Sequence, residues 1–272
     1  MRIGIVAPSS RFNRDAADRV QAIATGYDPR LELVFHPQCF LSWRHFAGTD
    51  NDRGHALVEF ANDPGLDAIW FARGGYGACR IAEAAIGRMG RQARDKTYLG
   101  YSDSGYLLAG LYRAGFPHVV HGPMPQDVVR DGGEAAVRRA LAWLVERDPD
   151  SLEPGLDADR PAAAFNLTVL SQLLGTPLEP DLSGHVLLVE EVSEQMYRID
   201  RTLFHVTRNK VAAGLAGLRL GRCSEVPPNE PDFGAGEEEI ARFWCGAAGI
   251  PWLGRADIGH DADNRLVPFG RL

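Results

Sequence analysis

A serine lies where a strand-like segment turns into a helix-like one, within the run YLGYSDSG at residues 98–105. The apolar segment stops at Gly100, and a helical pattern of leucines follows Ser102. A serine on such a turn has its hydroxyl clear of the sheet, and the first helical amides point toward whatever the hydroxyl attacks. The alternative is that Ser102 or Ser104 only caps the helix. The run therefore predicts either a nucleophile for acyl transfer or a helix cap.

A glycine-rich loop at residues 73–77 (RGGYG) follows a second strand-like segment, residues 66–72, and precedes a helix. Ligands of open parallel sheets bind beyond the carboxyl ends of the strands, where glycines let backbone amides come close. One interpretation is an oxyanion hole formed by the amide of Asp103 and an amide of Gly74 or Gly75. The alternatives are a plain tight turn or a phosphate cradle, although neither G-x-G-x-x-G nor G-K-[ST] is present.

A serine nucleophile needs a base, and the base needs a group that orients it. His260 lies in a loop after a strand-like segment near the end of the chain and is the first candidate base. His121 lies in a strand-exit loop on the same sheet edge as Ser102 and is the reserve. Glu190 ends a strand-like segment and is the candidate orienting acid; its alternative is an exposed strand-end carboxylate. His55 and His205 fall within predicted helices as surface or packing residues, and His118 and His185 flank strands without special surroundings.

Short apolar strands alternate with helices through the first half of the chain. Strands are predicted at residues 3–6, 31–35, 66–72, 97–101 and 118–124, and helices at 13–25, around 57–61, at 79–89, after 102 and around 137–144. Such alternation is typical of a doubly wound parallel sheet. This α/β sheet would bring the serine turn and the glycine loop to one edge.

The polar residues 146–155 have no hydrophobic periodicity and predict a linker. We therefore divide the chain into a first domain at residues 1–147, a linker at 148–160 and a smaller, β-rich domain at 161–272. In this last part, helices are predicted at residues 166–174, 199–209 and 237–245, and strands at 185–189, 215–220 and 252–258.

The overall composition restricts the functional class. The 272 residues carry a formal net charge of −7, with acidic and basic residues interspersed, which argues against a nucleic-acid partner. No apolar run reaches the roughly 20 residues that span a bilayer, and we see no signal peptide, so a cytoplasmic protein is expected. The four cysteines form no C-x-x-C pair, and H-E-x-x-H is absent. No metal or cofactor is predicted.

Taken together and in order, the motifs resemble the serine LD-carboxypeptidase family, whose relatives include the microcin-immunity peptidases. The matching segments are residues 3–10 (IGIVAPSS), 46–50 (FAGTD), 67–77 (DAIWFARGGYG), 100–103 (GYSD), 121–124 (HGPM), 166–167 (NL), 173–177 (LLGTP), 197–201 (YRIDR), 259–260 (GH) and 268–270 (PFG). Each segment is unspecific alone, whereas their order over most of the chain is specific.

The resemblance implies that Ser102 is the nucleophile, His260 the base and Glu190 the acid that orients it, with Asp103 and the Gly74-Gly75 pair supplying the oxyanion hole. It further implies a Rossmann-like N-terminal domain, a β-rich C-terminal domain, an active site between them, and a homodimer in the bacterial cytoplasm. Members of the family remove the terminal D-alanine from LD-linked cell-wall tetrapeptides during peptidoglycan recycling.

The sequence departs from the family pattern at three places. The acidic pair is Glu190-Glu191, where Glu-Asp is common, so Glu191 remains an alternative orienting acid. Phe165 follows two alanines where glycine-rich residues are usual, and is expected to narrow the cleft and contact substrate. Gln195-Met196 replaces prolines that often precede YRID.

The predicted activity is that of a serine carboxypeptidase acting on muropeptides through a covalent ester. Arg73 is a candidate cation for the substrate's terminal carboxylate, and its alternative is a structural surface arginine. Two other functions stay open. The same triad would serve a peptidyl or aminoacyl nucleotide if the ring of Phe165 stacked on a base. A two-lobed protein that binds a ligand without catalysis would also fit the fold.

Overall fold

The computed structural model describes all residues from Met1 to Leu272. The strands are β1 (Arg2–Val6), β2 (Glu32–Phe35), β3 (Ala68–Phe71), β4 (Thr97–Gly100), β5 (Val119–His121), β6 (Ala162–Asn166), β7 (Val186–Val192), β8 (Gly217–Ser224), β9 (Trp252–Arg255) and β10 (Val267–Pro268). The helices are α1 (Arg14–Tyr27), α2 (Asp50–Asn62), α3 (Ala82–Ile86), α4 (Arg91–Arg94), α5 (Gly105–Arg113), α6 (Gly133–Glu146), α7 (Leu167–Leu173), α8 (Met196–Arg208) and α9 (Glu237–Ala248).

The first sheet has the strand order β10-β5-β4-β3-β1-β2, parallel except for β10. Successive strand residues point to opposite faces. Ile69 and Phe71 accordingly join the core with α2 and α5, whereas Ala68 and Trp70 join the core with α1 and α6. The short apolar runs of the sequence are thus buried on both faces, as parallel strands require. The sheet brings the loops after β3 and β4 to one edge.

The second sheet has the order β6-β7-β8-β9, and all of its neighbouring strands are parallel. Helices α7, α8 and α9 contribute buried residues to the core on one face. The predicted α/β class, with a parallel sheet in the first half, is confirmed. The second half, predicted as β-rich, consists of a four-stranded parallel sheet and the three helices α7, α8 and α9. Strand β6 was not predicted, because its run of alanines lacks the β-branched residues that mark strands.

The two sheets are joined by the end of the chain. Strand β10 crosses back to pair antiparallel with β5, and Ala162 of β6 exchanges backbone hydrogen bonds with Gly270. The segment at residues 148–160 is also anchored, since Glu153 is buried and its Oε2 accepts a hydrogen bond from Arg219 at 2.6 Å. The boundaries at residues 147 and 161 stay a prediction.

The helix predicted at residues 79–89 is shorter in the structure. A 3-10 turn at Ala78–Arg80 comes first, and α3 begins only after Ile81. Ile81 has a φ of −117°, outside the helical range, so the two pieces do not merge. The break keeps the amide of Ala78 at the edge of the sheet, close to the serine turn.

Candidate active site

Ser102 lies between β4 and α5 with a φ of +58°. A residue with a side chain rarely adopts this left-handed region, because the Cβ crowds the backbone, and such strain is often found at functional sites. The serine is half-buried, and the 3-10 turn Ser102–Ser104 leads directly into the helix. Its own dihedral angle and the strand–turn–helix context match the turn that presents a catalytic serine.

The glycine loop packs directly against this serine. A Cβ at Gly74 would lie 2.8 Å from Ser102 Oγ and 3.0 Å from Ser102 Cβ, so only glycine allows the observed approach. Gly75 follows with a φ of +116°, and a Cβ there would collide with Ser10. The backbone of the loop therefore lies beside the hydroxyl, where the predicted oxyanion amides would be needed.

Asp103 has a second role that the sequence did not indicate. Its side chain is buried, and Oδ2 accepts hydrogen bonds from the hydroxyl of Ser9 and from the amide of Ala78 at 2.8 Å. Burial raises the pKa of Asp103, and these two hydrogen bonds oppose the rise. The carboxyl group ties the serine turn to the loops after β1 and β3. Nothing local in the sequence marks Ser9 as its partner.

Glu190 and His260 form a buried pair across the second half of the chain. Glu190 Oε2 lies 2.6 Å from His260 Nδ1, and both side chains are almost inaccessible. Burial lowers the pKa of His260, but the charge of Glu190 and its hydrogen bond outweigh it, so the pKa is raised above its ordinary value. With Nδ1 bound to the carboxylate, the neutral ring carries its free electron pair on Nε2.

Glu191 faces a different set of partners. Its Oε2 accepts from the amide and the hydroxyl of Thr168, at 2.9 Å and 2.7 Å, and its Oε1 accepts from Asn166 Nδ2 at 2.7 Å. It therefore holds the start of α7. A register shift between β7 and β8 accompanies this pair of glutamates, whose side chains point to opposite sides. Of the two acids that the sequence left open, Glu190 is the one that contacts His260.

The ring of His260 also lies against the serine turn. Its centroid is 4.8 Å from that of Tyr101, the residue before Ser102. Tyr101 is fixed in turn, because its hydroxyl donates to Asp127 Oδ1 at 2.8 Å. No hydrogen bond joins Ser102 to His260 in this conformation. Contacts between nucleophile and base are often longer in the absence of substrate. The fold thus places the Glu190–His260 pair beside Tyr101, the residue that precedes Ser102.

Two arginines that no sequence motif marks hold the loop of His260. Arg222 Nη2 donates to Asp261 Oδ1 at 2.8 Å. Arg139, on α6, donates to the carbonyl oxygens of Ala262 and Asn264 at 2.9 Å each. Because the second pair of bonds reaches from the first half of the chain, the position of the base depends on both halves.

His121, the reserve base, is buried next to the site. Its ring centroid lies 5.7 Å from that of Tyr101, on the strand beside β4. Burial, and next the charge of His260, lower the pKa of His121 to about 3. Its Nε2 has no hydrogen-bond partner, and its lowered pKa makes it a weaker base than His260, whose pKa is raised. Its position supports packing rather than proton transfer.

The prediction that Phe165 contacts substrate is wrong in this structure. Its ring has no accessible surface and packs edge-on against Phe269, with centroids 5.1 Å apart. The residue belongs to β6, whose side chains are all buried. Arg73, by contrast, is half-buried at the mouth of the glycine loop and donates to the carbonyl oxygen of Arg11 at 3.1 Å.

The arrangement is suited to acyl transfer. This chemistry uses a strained serine on a tight turn, an imidazole oriented by a carboxylate, and a glycine backbone beside the hydroxyl.

None of the helices is long and apolar enough to cross a membrane.

Residues 3–122 match the LD-carboxypeptidase N-terminal domain and residues 163–272 match the LD-carboxypeptidase C-terminal domain. The murein tetrapeptide carboxypeptidase of Pseudomonas aeruginosa is 27% identical over 286 residues, which cover 99% of this chain and 91% of that protein. Among solved structures, a muramoyltetrapeptide carboxypeptidase from Oxalobacter formigenes aligns with a TM-score of 0.82 at 22% identity, over 99% of this chain and 93% of that one.

The microcin C7 self immunity protein MccF aligns with a TM-score of 0.80 at 17% identity, over 99% of this chain and 91% of its own. At such identities the two solved structures support the fold alone. The two matched domains together span most of the sequence, including the serine turn, the acidic strand and the histidine loop. The chain belongs to the LD-carboxypeptidase family.

Proposed function

We propose that this protein is a serine carboxypeptidase that removes the terminal D-alanine from LD-linked cell-wall tetrapeptides, with Ser102, His260 and Glu190 as its triad. The observation that carries the proposal is the 2.6 Å contact between Glu190 and His260, with the ring of His260 beside Tyr101. Glu190 orients His260 as a base, and the ring of His260 lies against Tyr101, the residue next to the strained Ser102. Family membership and the similarity to the Pseudomonas enzyme support the substrate class.

In the first half-reaction, His260 Nε2 takes the proton of Ser102 while Oγ bonds to the scissile carbonyl carbon. The resulting oxyanion accepts hydrogen bonds from the amide of Asp103 and from an amide of the Gly74-Gly75 pair. The carbon–nitrogen bond then breaks, and the imidazolium gives its proton to the leaving amine of D-alanine. Glu190 stabilises the imidazolium and holds its tautomer.

In the second half-reaction, water attacks the ester and His260 takes the proton of the water. The bond to Ser102 Oγ breaks, and the imidazolium returns the proton to the serine. The products are the tripeptide acid and D-alanine, and the enzyme is regenerated. The raised pKa of His260 makes it a stronger base for both steps, provided that it is neutral at the start.

The experiment is mass spectrometry of a defined LD-tetrapeptide after incubation with the purified protein. We expect the loss of one alanine, and we expect Ser102→Ala to lower kcat by about 10³-fold or more, as in dissected serine-triad enzymes. Labelling of Ser102 by a fluorophosphonate tests the nucleophile without any assumption about substrate. Full activity of Ser102→Ala would exclude the serine, and an unlabelled wild-type protein would favour a binding protein without catalysis.

The alternative substrate, an aminoacyl nucleotide, was favoured because the ring of Phe165 could stack on a base. This argument no longer applies, because Phe165 is buried in the core. A sulfamoyl-adenosine conjugate offered in the same assay is the direct competitor to the tetrapeptide. The homodimer and the cytoplasmic location remain predictions; light scattering of the purified protein tests the first.

A further inference from the structure

A pocket of about 590 Å³ opens beside the glycine loop, and its charged lining is entirely cationic. Arg11, Arg14 and His45 line it together with Arg73. Its remaining polar side chains are neutral, and no aspartate or glutamate contributes to the wall. In a chain with a net charge of −7, a cavity with several cations and no acid has a composition that favours an anionic ligand.

Arg73 differs in its partners from Arg219 and Arg222, two other partly buried arginines. Arg219 and Arg222 both form ion pairs with carboxylates, at distances of 2.6 Å and 2.5 Å. The one hydrogen bond of Arg73 is to the carbonyl oxygen of Arg11, and its Nε is buried without a partner. A buried donor without an acceptor is rare in folded proteins, and this one is available to a ligand oxygen. The planar guanidinium suits a carboxylate in particular.

The pocket borders the glycine loop, which in turn packs on the serine turn. Arg73 immediately precedes Gly74, and a Cβ on Gly74 would lie 2.8 Å from Ser102 Oγ. On the other side, Ser10 is both a pocket residue and the neighbour that a Cβ on Gly75 would strike. Arg73, which lines the pocket, is thus the chain neighbour of the glycine that contacts Ser102.

A carboxypeptidase needs a cation near its nucleophile, because the terminal carboxylate of the substrate lies one residue beyond the scissile carbonyl. We propose that the pocket binds the terminal carboxylate of the amino acid that is released, with Arg73 as the direct partner and Arg11 and Arg14 reinforcing the positive potential. The inference rests on the proposed function and deepens it. It explains why the enzyme would cut only the last residue: a chain continuing past that residue would place a neutral amide against Arg73.

The test compares an LD-tetrapeptide that ends in free D-alanine with the same peptide ending in D-alanine amide. For the wild type we expect kcat/KM to favour the acid. Arg73→Gln should reduce the acid-to-amide ratio of kcat/KM by about 10- to 100-fold, the effect of losing a hydrogen bond to a charged group. Arg73→Lys, which keeps the charge, should recover part of the ratio. The double variant Arg11→Gln/Arg14→Gln should reduce it less, because both side chains are exposed.

Arg19→Gln is the matched control, since this exposed arginine of α1 lies outside the pocket and has no ion pair. It should leave the ratio unchanged. A ratio that stays within about threefold of wild type in Arg73→Gln, with its thermal midpoint preserved, would overturn the inference. Equal losses of kcat/KM for the acid and the amide in Arg73→Gln would also overturn it.

A binding measurement separates this inference from the proposed function. Calorimetric titration with N-acetyl-D-alanine and with its amide needs no cleavage, and uses the full chain. Binding of the acid that Arg73→Gln abolishes, and Arg19→Gln does not, would support the pocket even if the tetrapeptide were not cut. Cleavage of the tetrapeptide without any difference between acid and amide would refute the pocket and leave the proposed function standing.

Discussion

Glu190 and Glu191 are chemically identical neighbours whose surroundings give them different tasks. Because side chains alternate along a strand, one points toward His260 and the other toward the start of α7. Only the first can orient an imidazole. The distinction depends on a strand register and a bulge, which no local sequence feature specifies.

Replacing these two glutamates in turn is the sharpest test at this scale. Glu190→Gln should lower kcat by about 10³- to 10⁴-fold, since an amide cannot stabilise the imidazolium or fix the tautomer. Glu191→Gln should lower the free energy of unfolding by about 1–3 kcal/mol, because hydrogen bonds at the start of α7 are lost, while kcat falls much less. Steady-state kinetics and urea unfolding measure both. Equal losses of kcat in the two variants would contradict the assignment.

The pKa of His260 determines the pH profile. The base must be neutral, so kcat/KM rises with pH through the pKa of His260 in the free enzyme. Since Glu190 raises that pKa above the ordinary imidazole value of about 6.5, the acidic limb should lie above pH 6.5. Glu190→Gln should move the limb to lower pH, because burial then acts without the compensating charge. A limb at or below pH 6 in the wild type would count against His260 as the base.

At the scale of elements, the site is an assembly of loops at the carboxyl edge of the first sheet. The loops after β1, β3 and β4 are tied together by the carboxyl group of Asp103. The glycine loop then packs on the serine through its backbone. Close approach requires the absence of a side chain at Gly74, so its small size matters more than its flexibility.

Gly74→Ala tests this close approach. The added methyl group would press on Ser102 Oγ, and a displacement of about 1 Å in a reacting group costs on the order of 10²-fold in rate. Gly26→Ala on α1 is the control, because no heavy atom lies within 4 Å of its Cβ position. It should leave kcat unchanged and stabilise the protein by about 0.5–1 kcal/mol. An unchanged kcat in Gly74→Ala would show that the glycine loop can shift without displacing Ser102.

For the whole molecule, the two sheets are one structure rather than two attached ones. A single hydrophobic cluster of 45 buried residues includes Phe71 and Leu107 from the first half and Leu187 and Leu220 from the second. Strand β10 adds a backbone connection between them. The proposed active site needs both halves, since Ser102 comes from the first and Glu190 and His260 come from the second.

We therefore expect a single cooperative unfolding transition in urea, with tryptophan fluorescence and far-ultraviolet circular dichroism coinciding. Val267→Ala, in β10, should lower the free energy of unfolding by about 1–2 kcal/mol and shift both signals together. Val129→Ala, at an exposed position, should change it by less than about 0.5 kcal/mol. Two separated transitions would show that the halves unfold independently.

The sequence by itself determined the α/β class, most strands of the first sheet and the short motifs at Ser102, Gly74 and His260. These features are local, because each depends on residues that are neighbours along the chain. They are the hydrophobic period, the turn residues and the short segments that match the family in the same order. Strand β6 was not predicted, because alanine has a low strand propensity. Phe165 was misjudged because a side chain's exposure depends on what covers it.

Only the tertiary structure decided which glutamate contacts His260, which histidine stays neutral, and that Nε of Arg73 is buried without a hydrogen-bond partner. Each of these properties depends on contacts between residues that are distant in the sequence, such as Glu190 with His260 and Ser9 with Asp103. Burial and nearby charge then set the protonation of every group involved. Chemistry at this site is therefore a property of the packed chain, because its reacting groups acquire their partners only when the two sheets are joined.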